Sequence, residues 1–449
     1  MNKSSAIVLC AGKGLRMRSG RSKVLHKIAG LEIVNHVLRT LEAASVDRII
    51  LVVSRDNERD IRNIVPANVE MVVQREIDGT ASASRIGAEA LGDYDGTVLV
   101  TYCDVPLVRG ETYGKMLEAL ERTDDSLIVL GFHTKDTANA YGRLILGSSG
   151  KLEKIVEYRD ATGLERGNSL CNAGIYALRS PELLKHLIRS VRNDNAAREY
   201  YLTDTIEIAL EQKYGCSYVL AEEEEVMGVN SRVELARVER VFQDVRRKEF
   251  MTAGVTLVDP GSVFFSHDTE IENDVIVEPS VMFMNGVKVH SGVQIKSFSY
   301  LEGCEIESGS TIGPFARIRP KSILGKNSRV GNFCEIKESV VGDGVKISHL
   351  SYIGDAEVGE NTNIGAGTIT CNYDGYSKFR TNIGKNSLIG SNTIMVAPVE
   401  IGENSLTAAG SIITRSAEKN SLIVARPEQK ILSEGMTRYR AKREKPPKT

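Results

Sequence analysis

Residues 383–413 read IGKNSLIGSNTIMVAPVEIGENSLTAAGSII, and in this stretch a mostly aliphatic residue returns at every sixth position. The residues at that spacing are Ile383, Ile389, Met395, Ile401, Thr407 and Ile413. Neither a helix nor an ordinary strand has this period, because their side chains repeat about every 3.6 and about every 2 residues. A solenoid explains it, because each coil lays short strands on the coil below and points one side chain per face inward.

The six-residue period extends back to Ile271, with the frame reset by one residue at intervals. Its other members are Val277, Phe283, Val289, Ile295, Leu301, Ile306, Ile312, Ile318, Leu324, Val330, Ile336, Val341, Ile347, Ile353, Val358 and Ile364. Many of them precede a glycine, and a small residue often stands three positions later, as sharp corners require. The pattern resembles the left-handed parallel β-helix of hexapeptide-repeat acyltransferases.

The repeat is interrupted once, between Thr370 and Ile383, by the polar and aromatic segment CNYDGYSKFR at residues 371–380. Insertions in solenoids collect on the binding face. This segment is therefore predicted to border a ligand site, and a surface loop without a binding role is the alternative.

The N-terminal half has the pattern of an α/β domain. Residues 7–9 form an apolar run that leads into a glycine loop, and apolar residues at helical spacing follow from Ile33. The continuous apolar runs at 48–53 and 97–100 are typical of parallel strands that are buried on both faces. These features predict a doubly wound sheet, which binds its ligand at the carboxyl ends of its strands.

The glycine loop lies in a local cationic patch that consists of Lys13, Arg16, Arg18, Arg21 and Lys23. Glycines let backbone N–H groups approach phosphates, and the basic side chains would neutralise them. The loop lacks the complete Walker or dinucleotide order, so a plain turn with a solvated basic face is the alternative. Asp104 follows the next apolar strand, where a phosphate-bound magnesium ion needs an oxygen ligand, although aspartate is also common in turns.

The overall composition describes a folded chain without a strong charge bias. The 449 residues are 41% hydrophobic and carry a formal net charge of -2, which favours neither nucleic acid nor an anionic membrane as a partner. The seven cysteines have no spacing typical of zinc sites or disulfides. With no signal peptide and no apolar stretch of membrane-spanning length, the protein is predicted to be cytoplasmic.

A charged segment with apolar residues at helical spacing, 230–251, is predicted to be an amphipathic linker helix. It would separate a nucleotide-binding domain at residues 1–229 from a β-helix domain at residues 252–449. The basic stretch 438–448 would form a solvated tail of the second domain.

Several motifs together resemble one family, the bacterial bifunctional N-acetylglucosamine-1-phosphate uridyltransferases and glucosamine-1-phosphate N-acetyltransferases. They are LCAGKGLRM at 9–17, KVLH at 23–26, YCD at 102–104, YGR at 141–143, NAG at 172–174, YYLTD at 200–204, GVN at 228–230, RIRP at 317–320, VGNFCEIK at 330–337, HLSY at 349–352 and NIGAGTITCNYDG at 363–375. The resemblance covers essentially the whole chain, in the family's order.

The resemblance implies two reactions on the way to UDP-N-acetylglucosamine, a precursor of the bacterial cell wall. The β-helix would acetylate glucosamine 1-phosphate with acetyl-CoA. The N-terminal domain, with a fold like that of nucleotide-diphospho-sugar transferases, would then join the product to UTP and release pyrophosphate. Mg²⁺ is the expected cofactor, and a homotrimer is the expected assembly, because hexapeptide acyltransferases typically bind CoA between neighbouring helices.

The resemblance also implies the residues of the uridyltransferase site. Asp104 and Asn230 match the magnesium ligands. Gln74, Gly79 and Thr80 match the uracil contacts, and Gly142, Glu157 and Asn172 match the sugar contacts. The residues that match the UTP and UDP-N-acetylglucosamine contacts are Leu9, Cys10, Ala11, Gly12, Lys23, Gln74, Gly79, Thr80, Tyr102, Cys103, Asp104, Gly142, Glu157, Asn172 and Asn230.

In the second domain His349 matches the catalytic base of the acetyltransferase. A histidine suits this role because its ordinary pKa is near neutral. The residues that match contacts with glucosamine phosphate and acetyl-CoA are Arg319, Lys337, Tyr352, Asn363, Ala366, Asn372, Tyr373, Ser391, Ala409 and Arg426.

Departures from the family pattern concentrate in the first domain. Leu15 replaces a usual threonine, Ser22 a proline, Cys103 a glycine, and Ser82 stands in a stretch that usually contains histidine. The alternative function is a sugar-1-phosphate nucleotidyltransferase with a regulatory or structural β-helix, or with another nucleotide preference. A binding scaffold and a zinc hydratase, which needs three convergent histidines, are further alternatives.

Overall fold

The computed structural model describes residues 3–12 and 14–443, so Lys13 of the cationic patch and the end of the basic tail lie outside the described residues. The chain divides into two compact units, Met1–Arg246 and Arg247–Thr449. No helix in the described ranges is long and apolar enough to span a membrane.

The first unit is built on a mixed sheet with the strand order β11-β7-β10-β6-β1-β4-β5. Strand β10 runs antiparallel to β6 and β7, and β8 pairs with β9 and with β10. The strands are β1 Ser4–Leu9, β2 Lys27–Ile28, β3 Leu31–Glu32, β4 Arg48–Ser54, β5 Glu70–Gln74, β6 Thr97–Tyr102, β7 Leu127–His133, β8 Arg143–Leu146, β9 Leu152–Val156, β10 Leu170–Leu178 and β11 Cys216–Ala221. The predicted buried strands at 48–53 and 97–100 are present as β4 and β6.

Helices cover both faces of this sheet. The helices of this unit are α1 Ile33–Ala43, α2 Glu58–Arg62, α3 Thr80–Leu91, α4 Gly110–Arg122, α5 Gly163–Arg166, α6 Pro181–Ile188 and α7 Thr205–Glu211. Ala6 and Val8 of β1 belong to the core beneath α1 and α4, whereas Ile7 and Leu9 belong to the core beneath α3 and α6. Burial on both faces explains the unbroken apolar run and confirms the doubly wound α/β fold.

The strand order changes direction between β1 and β6. From β1 the chain continues to β4 and β5 on one side, whereas β6 lies on the other side and pairs Leu9 with Tyr102. Such a reversal opens a crevice at the carboxyl ends of the two strands. The glycine loop after β1 and the acidic turn after β6 therefore meet at one edge of the sheet.

The first helix begins later than the simple order of strand, glycine loop and helix suggests. Two short 3-10 turns, Leu15–Met17 and Lys23–Leu25, and the small hairpin of β2 and β3 separate the loop from α1. Gly14 takes a left-handed conformation with φ of 58°, which is unfavourable for residues other than glycine. The loop therefore does not place a ligand at the N-terminus of α1.

The second unit consists of three parallel sheets that together form the predicted left-handed parallel β-helix. The first sheet contains Thr256–Leu257, Ile276–Val277, Gln294–Ile295, Thr311–Ile312, Arg329–Asn332, Lys346–His349, Asn363–Ile364, Leu388–Ile389, Leu406–Thr407 and Leu422–Ile423. The second contains Phe264–Phe265, Met282–Phe283, Tyr300–Leu301, Arg317–Ile318, Glu335–Lys337, Tyr352–Gly354, Ile369–Cys371, Ile394–Val396 and Ile412–Ile413. The third contains Glu270–Ile271, Lys288–Val289, Cys304–Ile306, Ser322–Leu324, Val340–Val341, Ala356–Val358, Thr381–Ile383 and Val399–Ile401.

Each coil visits the three sheets in turn and returns directly above its starting point. Val277 pairs with Ile295 and Ile295 with Ile312, which are 18 and 17 residues apart. The inward side chains of the six-residue period form one continuous core. The coils begin before Ile271, because Leu257 and Phe265 already belong to this core, and Thr370 occupies an inward position with its hydroxyl bonded to the backbone of Gly354.

The corners between the sheets explain the residues that follow each inward side chain. A Cβ atom on Gly402 would lie 2.3 Å from the backbone nitrogen of Lys419 in the next coil, so only glycine fits. The small residue three positions after the inward one is often asparagine in a left-handed conformation, as at Asn386 and Asn404. Asparagine tolerates this conformation because its short side chain bonds locally.

The segment before the coils is a long helix, α8, at Arg232–Thr252, which covers most of the predicted linker. Within the second unit, Arg247 near its end donates to the carbonyl oxygen of Val263 at 2.8 and 3.0 Å, and Phe250 packs on Phe265. The end of α8 therefore closes the first coil. A further helix, α9 at Gly435–Ala441, overlaps the start of the basic tail and is exposed.

The core of the coils predicts a contrast between two isoleucines of the third sheet. Ile306 is fully buried, whereas Ile323 in the next coil points outward and is 43% exposed. Ile306→Ala should lower the free energy of unfolding by about 2–5 kcal/mol because it leaves a cavity. Ile323→Ala should cost less than about 1 kcal/mol. Urea denaturation measures both, and equal losses would contradict the assigned inward and outward faces.

Candidate functional site

In the first unit, the crevice between β1 and β6 brings together two predicted segments. The loop of Cys10, Ala11 and Gly12 leaves β1 after Leu9, and Tyr102, Cys103 and Asp104 leave β6 beside it. The backbone nitrogen of Cys103 donates to the carbonyl oxygen of Leu9 at 3.2 Å. These residues therefore surround one point at the edge of the sheet.

A cluster of one cation and two oxygen ligands lies at this point. The Lys23 ammonium forms an ion pair with Asp104 and donates to Oδ1 of Asn230 at 2.9 Å. Burial lowers the pKa of Lys23, but the Asp104 carboxylate, together with the neighbouring Cys103 and Cys10, outweighs this effect, so the pKa of Lys23 is raised overall. Asn230 is fixed in turn, because its backbone nitrogen donates to Glu234 at 2.6 Å. Residues 23, 104 and 230, far apart in the sequence, thus share one site.

The predicted uracil contacts form a second group next to the Tyr200 segment. Leu202 N–H donates to Oγ1 of Thr80 at 3.0 Å. Gly79 has φ of 141°, and a Cβ atom there would lie 2.3 Å from the Tyr200 carbonyl oxygen. The Gln74 side chain makes only long hydrogen bonds, of 3.4 and 3.5 Å, to Asp78 and Gly79. Its amide is therefore weakly held and can bond to a ligand.

The predicted sugar contacts lie beyond Tyr102. Asn172 N–H donates to the carbonyl oxygen of Gly142 at 2.9 Å, and the Glu157 carboxylate accepts from Thr203 at 3.3 Å. Burial raises the pKa of Glu157, and nearby carboxylates add to this effect. Burial and the charge of Glu157 likewise raise the pKa of Tyr102.

Some residues of this crevice were not predicted from the sequence. Asn57 donates from its side chain to the carbonyl oxygen of Cys10 at 2.8 Å and so holds the loop. It follows β4 without any motif, and no sequence signal identifies it. In the cationic patch, Arg16, Arg18 and Arg21 are exposed, so among the described members Lys23 alone reaches Asp104.

The substituted positions also have a definite place. Leu15 is 82% exposed on the loop. Cys103 is buried beside Cys10, and burial together with a hydrogen bond that the Cys10 thiol donates to Cys103 raises the pKa of Cys10. With these residues in place, Asp104 and Asn230 both bond to Lys23.

In the second unit, His349 lies at the first corner, which we define as the turns that join the first sheet to the second. Its Nδ1 atom is 2.8 Å from Oδ1 of Asn332 in the preceding coil. The imidazole is exposed.

Four of the predicted acetyl-CoA residues lie at the same corner in later coils. The inward residues Ile347, Ile364, Ile389 and Thr407 pair directly above one another. Two positions after each of them stand, in order, His349, Ala366, Ser391 and Ala409, which we call the His349 column. Arg426 extends it, because its guanidinium donates to the carbonyl oxygen of Ala409 at 2.8 Å.

A second group of predicted residues lies at the second corner, where the second sheet joins the third. The Asp355 carboxylate accepts from Nζ of Lys337 at 3.3 Å and from the side chain of Asn372, which also donates to the Tyr352 hydroxyl at 3.3 Å. Burial alone would lower the pKa of Lys337, but hydrogen bonds to Glu338 and Asp355 raise it overall. Asp355, which was not predicted, thus bonds directly to Lys337 and Asn372. We call these three residues, with Tyr352, the Asp355 group.

The remaining predicted residues lie around this group. Arg319 donates to Glu335 at 2.8 Å on the outward face of the second sheet. Asn363 lies on the outward face of the first sheet, in register with Lys346. The insertion 371–380 forms a loop at the second corner, where Lys378 pairs with Glu338 at 3.6 Å. Tyr373 bonds within this loop and is 61% exposed, so it does not touch the Asp355 group.

The described residues do not provide a zinc hydratase site. Among them, the group of side chains close enough to hold a metal ion is His290 with Glu305 and Glu307, which supplies one histidine instead of three. The zinc alternative is therefore not supported.

Both units match known domain families. Residues 6–167 match the MobA-like NTP transferase domain. Residues 303–338 match the bacterial transferase hexapeptide of six repeats, and residues 380–415 match the hexapeptide repeat of succinyl-transferase. A nucleotidyltransferase domain followed by a hexapeptide-repeat domain defines a two-domain transferase.

Relatives with the same arrangement match along almost their entire length. The chain is 43% identical over 443 residues to the bifunctional protein GlmU of Zymomonas mobilis, with 98% of each chain covered. It is 44% identical over 441 residues to the bifunctional protein GlmU of Paramagnetospirillum magneticum, with 98% of this chain and 97% of the relative covered. The chain belongs to the family of bifunctional GlmU proteins.

The family and the two domains confirm the function that the motifs implied. The chain is a bifunctional enzyme, a nucleotidyltransferase and N-acetyltransferase, that acetylates glucosamine 1-phosphate and transfers uridylyl to N-acetylglucosamine 1-phosphate. A scaffold or a purely structural β-helix is not supported.

Asp204, close to Glu157, predicts a pH-dependent stability. Burial and repulsion from Glu207, Asp194 and Asp160 raise the pKa of Asp204 to about 6. Because the pKa of Asp204 is higher in the folded state than in the unfolded chain, ionisation of this carboxyl destabilises the folded state. The free energy of unfolding therefore falls as pH rises through about 6. Asp204→Asn should therefore raise the midpoint of thermal unfolding at pH 7.5, and this gain should shrink towards pH 4.

The same substitution at Asp56, which is exposed, is the matched control. Thermal melts followed by circular dichroism across this pH range make the comparison. A gain at Asp204 that is independent of pH, or one equal to that at Asp56, would contradict the assigned cause.

Proposed function

We propose that acetyl transfer takes place on the outward face of the second sheet, between the His349 column and the Asp355 group. His349 acts as the base that takes the proton of the sugar ammonium, since an ammonium cannot attack a thioester. Arg319 and Lys337 neutralise the sugar phosphate. Tyr352, Asn363, Asn372 and Tyr373 hold the sugar and the acetyl group.

The observation that supports this proposal most strongly is the register of the coils. Ala366, Ser391, Ala409 and Arg426 are spread over 60 positions of the sequence, yet they stack above His349 at one corner. Small side chains in a column leave a groove along the solenoid. We assign acetyl-CoA to this groove, with its thioester next to His349.

Uridylyl transfer is assigned to the crevice between β1 and β6. Leu9, Cys10, Ala11, Gly12 and Lys23 contact the UTP phosphates. Gln74, Gly79 and Thr80 read the uracil, while Tyr102, Cys103, Gly142, Glu157 and Asn172 surround the sugar. The phosphate oxygen of the sugar substrate is already a nucleophile, so the residues mainly position it and neutralise charge.

Asp104 and Asn230 fit the proposed Mg²⁺ ion. Their oxygen atoms converge on the Lys23 ammonium, so the two residues present oxygen atoms to one cationic position, which supports the proposal. Carboxylate and amide oxygens are ligands that Mg²⁺ accepts in proteins. Bound there, Mg²⁺ would neutralise charge on the triphosphate.

We also propose a homotrimer. In the last coils the outward faces carry two apolar rows, one of Leu388, Leu406 and Leu422 on the first sheet and one of Ile369, Ile394 and Ile412 on the second. Most of these side chains are exposed, as a contiguous apolar patch at a protein interface would be in a single chain. The rows flank the His349 column, so neighbouring helices would enclose the CoA groove.

The proposed domain limits are residues 1–229 for uridylyl transfer, 230–251 for the linker helix and 252–449 for acetyl transfer. The proposed compartment is the cytoplasm, where UTP, acetyl-CoA and amino-sugar phosphates are available. All seven cysteines are free, which fits a reducing compartment. No nucleic acid or membrane partner is proposed.

Two variants should separate the two activities. His349→Ala should reduce acetyl transfer at least about 100-fold, since general base catalysis contributes about 10²–10⁴-fold. It should leave pyrophosphate release from UTP and N-acetylglucosamine 1-phosphate unchanged. Asp104→Ala should do the reverse and remove magnesium-dependent release. Each variant controls for the folding of the other, and full acetyl transfer by His349→Ala would refute the assigned base.

The apolar rows predict an effect on assembly. Sedimentation velocity of the wild type should give about three times the chain mass of 49.2 kDa. Ile412→Asp should give smaller species, because the carboxylate would be buried without a partner. Ile323→Asp, on the third sheet, is the matched control and should remain trimeric. A monomeric wild type would contradict the proposal.

A further inference from the structure

The imidazole of His349 has one close polar partner on the neighbouring coil. Asn332 and His349 are paired directly in the first sheet, and Nδ1 lies 2.8 Å from Oδ1 of Asn332. The strand pairing fixes the separation of the two Cα atoms. The contact is therefore a consequence of the coil register rather than of a flexible surface.

Asn332 is itself held by the corner. Its carbonyl oxygen accepts from the backbone nitrogen of Leu350 at 3.1 Å and from the Cys334 thiol at 3.6 Å. The backbone on the other side of His349 is also tied, because its carbonyl oxygen accepts from Oγ of Ser351 at 2.9 Å. Both partners of the Asn332–His349 contact thus stand on fixed backbone.

The chemistry of the contact selects one form of the imidazole. A neutral imidazole carries a proton on one nitrogen and a lone pair on the other. An amide oxygen only accepts hydrogen bonds, so opposite Oδ1 the Nδ1 atom must carry the proton. The lone pair is then on Nε2, which is the atom that remains for a substrate.

We infer that Asn332 is a positioning residue for acetyl transfer, which sets the tautomer and the ring orientation of His349 so that Nε2 is the base. The inference rests on the proposed role of His349. Nε2 takes a proton from the sugar ammonium, and the free amine attacks the thioester carbonyl carbon. The first proton passes from Nε2 to solvent, and as the new C–N bond forms Nε2 takes the second proton from the same nitrogen. The C–S bond then breaks, and the imidazolium gives this proton to the CoA thiolate, which leaves as the thiol. The proton on Nδ1 stays on the hydrogen bond to Asn332 throughout.

The charged side chains near His349 do not orient its ring, so this role falls to Asn332. Arg329 and Lys346 lie on the outward row of the first sheet, and Glu335 lies on the second sheet, where it pairs with Arg319 and Arg317. In the described part of the chain, no ion pair involves His349. The neutral amide therefore orients the ring without adding a charge to it.

The test compares two replacements of nearly equal size at position 332. Asn332→Leu removes the acceptor and should lower kcat of acetyl transfer about 10–100-fold, the usual effect of losing such a supporting hydrogen bond, with KM for glucosamine 1-phosphate changed less than about threefold. Asn332→Asp keeps an oxygen in place and should retain most of kcat. Its carboxylate stabilises the imidazolium, so the acid limb of the pH profile of kcat/KM should move up by about 1 unit.

The controls separate the two inferences. Asn382→Ala, an exposed asparagine on the third sheet, should leave acetyl transfer unchanged, and uridylyl transfer should be normal in every variant. If His349→Ala is fully active, the base itself is wrong. If His349→Ala is inactive but Asn332→Leu keeps the wild-type kcat and pH profile, Asn332 has no positioning role. An Asn332→Asp enzyme without a shift of the acid limb would also overturn the inference.

Discussion

The hydrogen bonds between successive coils are the interaction on which the second unit depends. Because each strand pairs directly with the strand one coil later, residues 17 or 18 positions apart are fixed on top of one another. A core position, a corner and a functional side chain are all placed by the same register. The proposed acetyltransferase site needs this, because His349 and Ser391 belong to different coils and still stand at one corner.

The fold could be predicted from the sequence in most respects, because the six-residue period marks the side chains that point into the core of the β-helix. What the period could not give is where the coils begin and how an irregular position is filled. Phe265 lies inside before the aliphatic run starts, and Thr370 replaces an aliphatic residue because its hydroxyl bonds to the backbone of Gly354. Both are local exceptions that packing accepts and a pattern does not display.

The candidate sites were less accessible from the residues alone. Spacing and charge pointed to the glycine loop, Lys23 and Asp104, whereas most other positions came from the family resemblance. The structure adds groups that hold those positions, such as Asn57 behind the loop and Asp355 between Lys337 and Asn372. No motif identifies such residues, because their importance arises from contacts across strands that are distant in the sequence.

The insertion at 371–380 has a consequence for how such an enzyme can change. After the loop, Thr381–Ile383 pairs with Ala356–Val358 as if no residues had been added, so the extra length neither rotates nor displaces the coils above it. A corner can therefore gain or lose a polar loop while the solenoid core stays the same. In evolutionary terms, chemistry at a corner is modular: substrate contacts can be exchanged there independently of the stability of the scaffold.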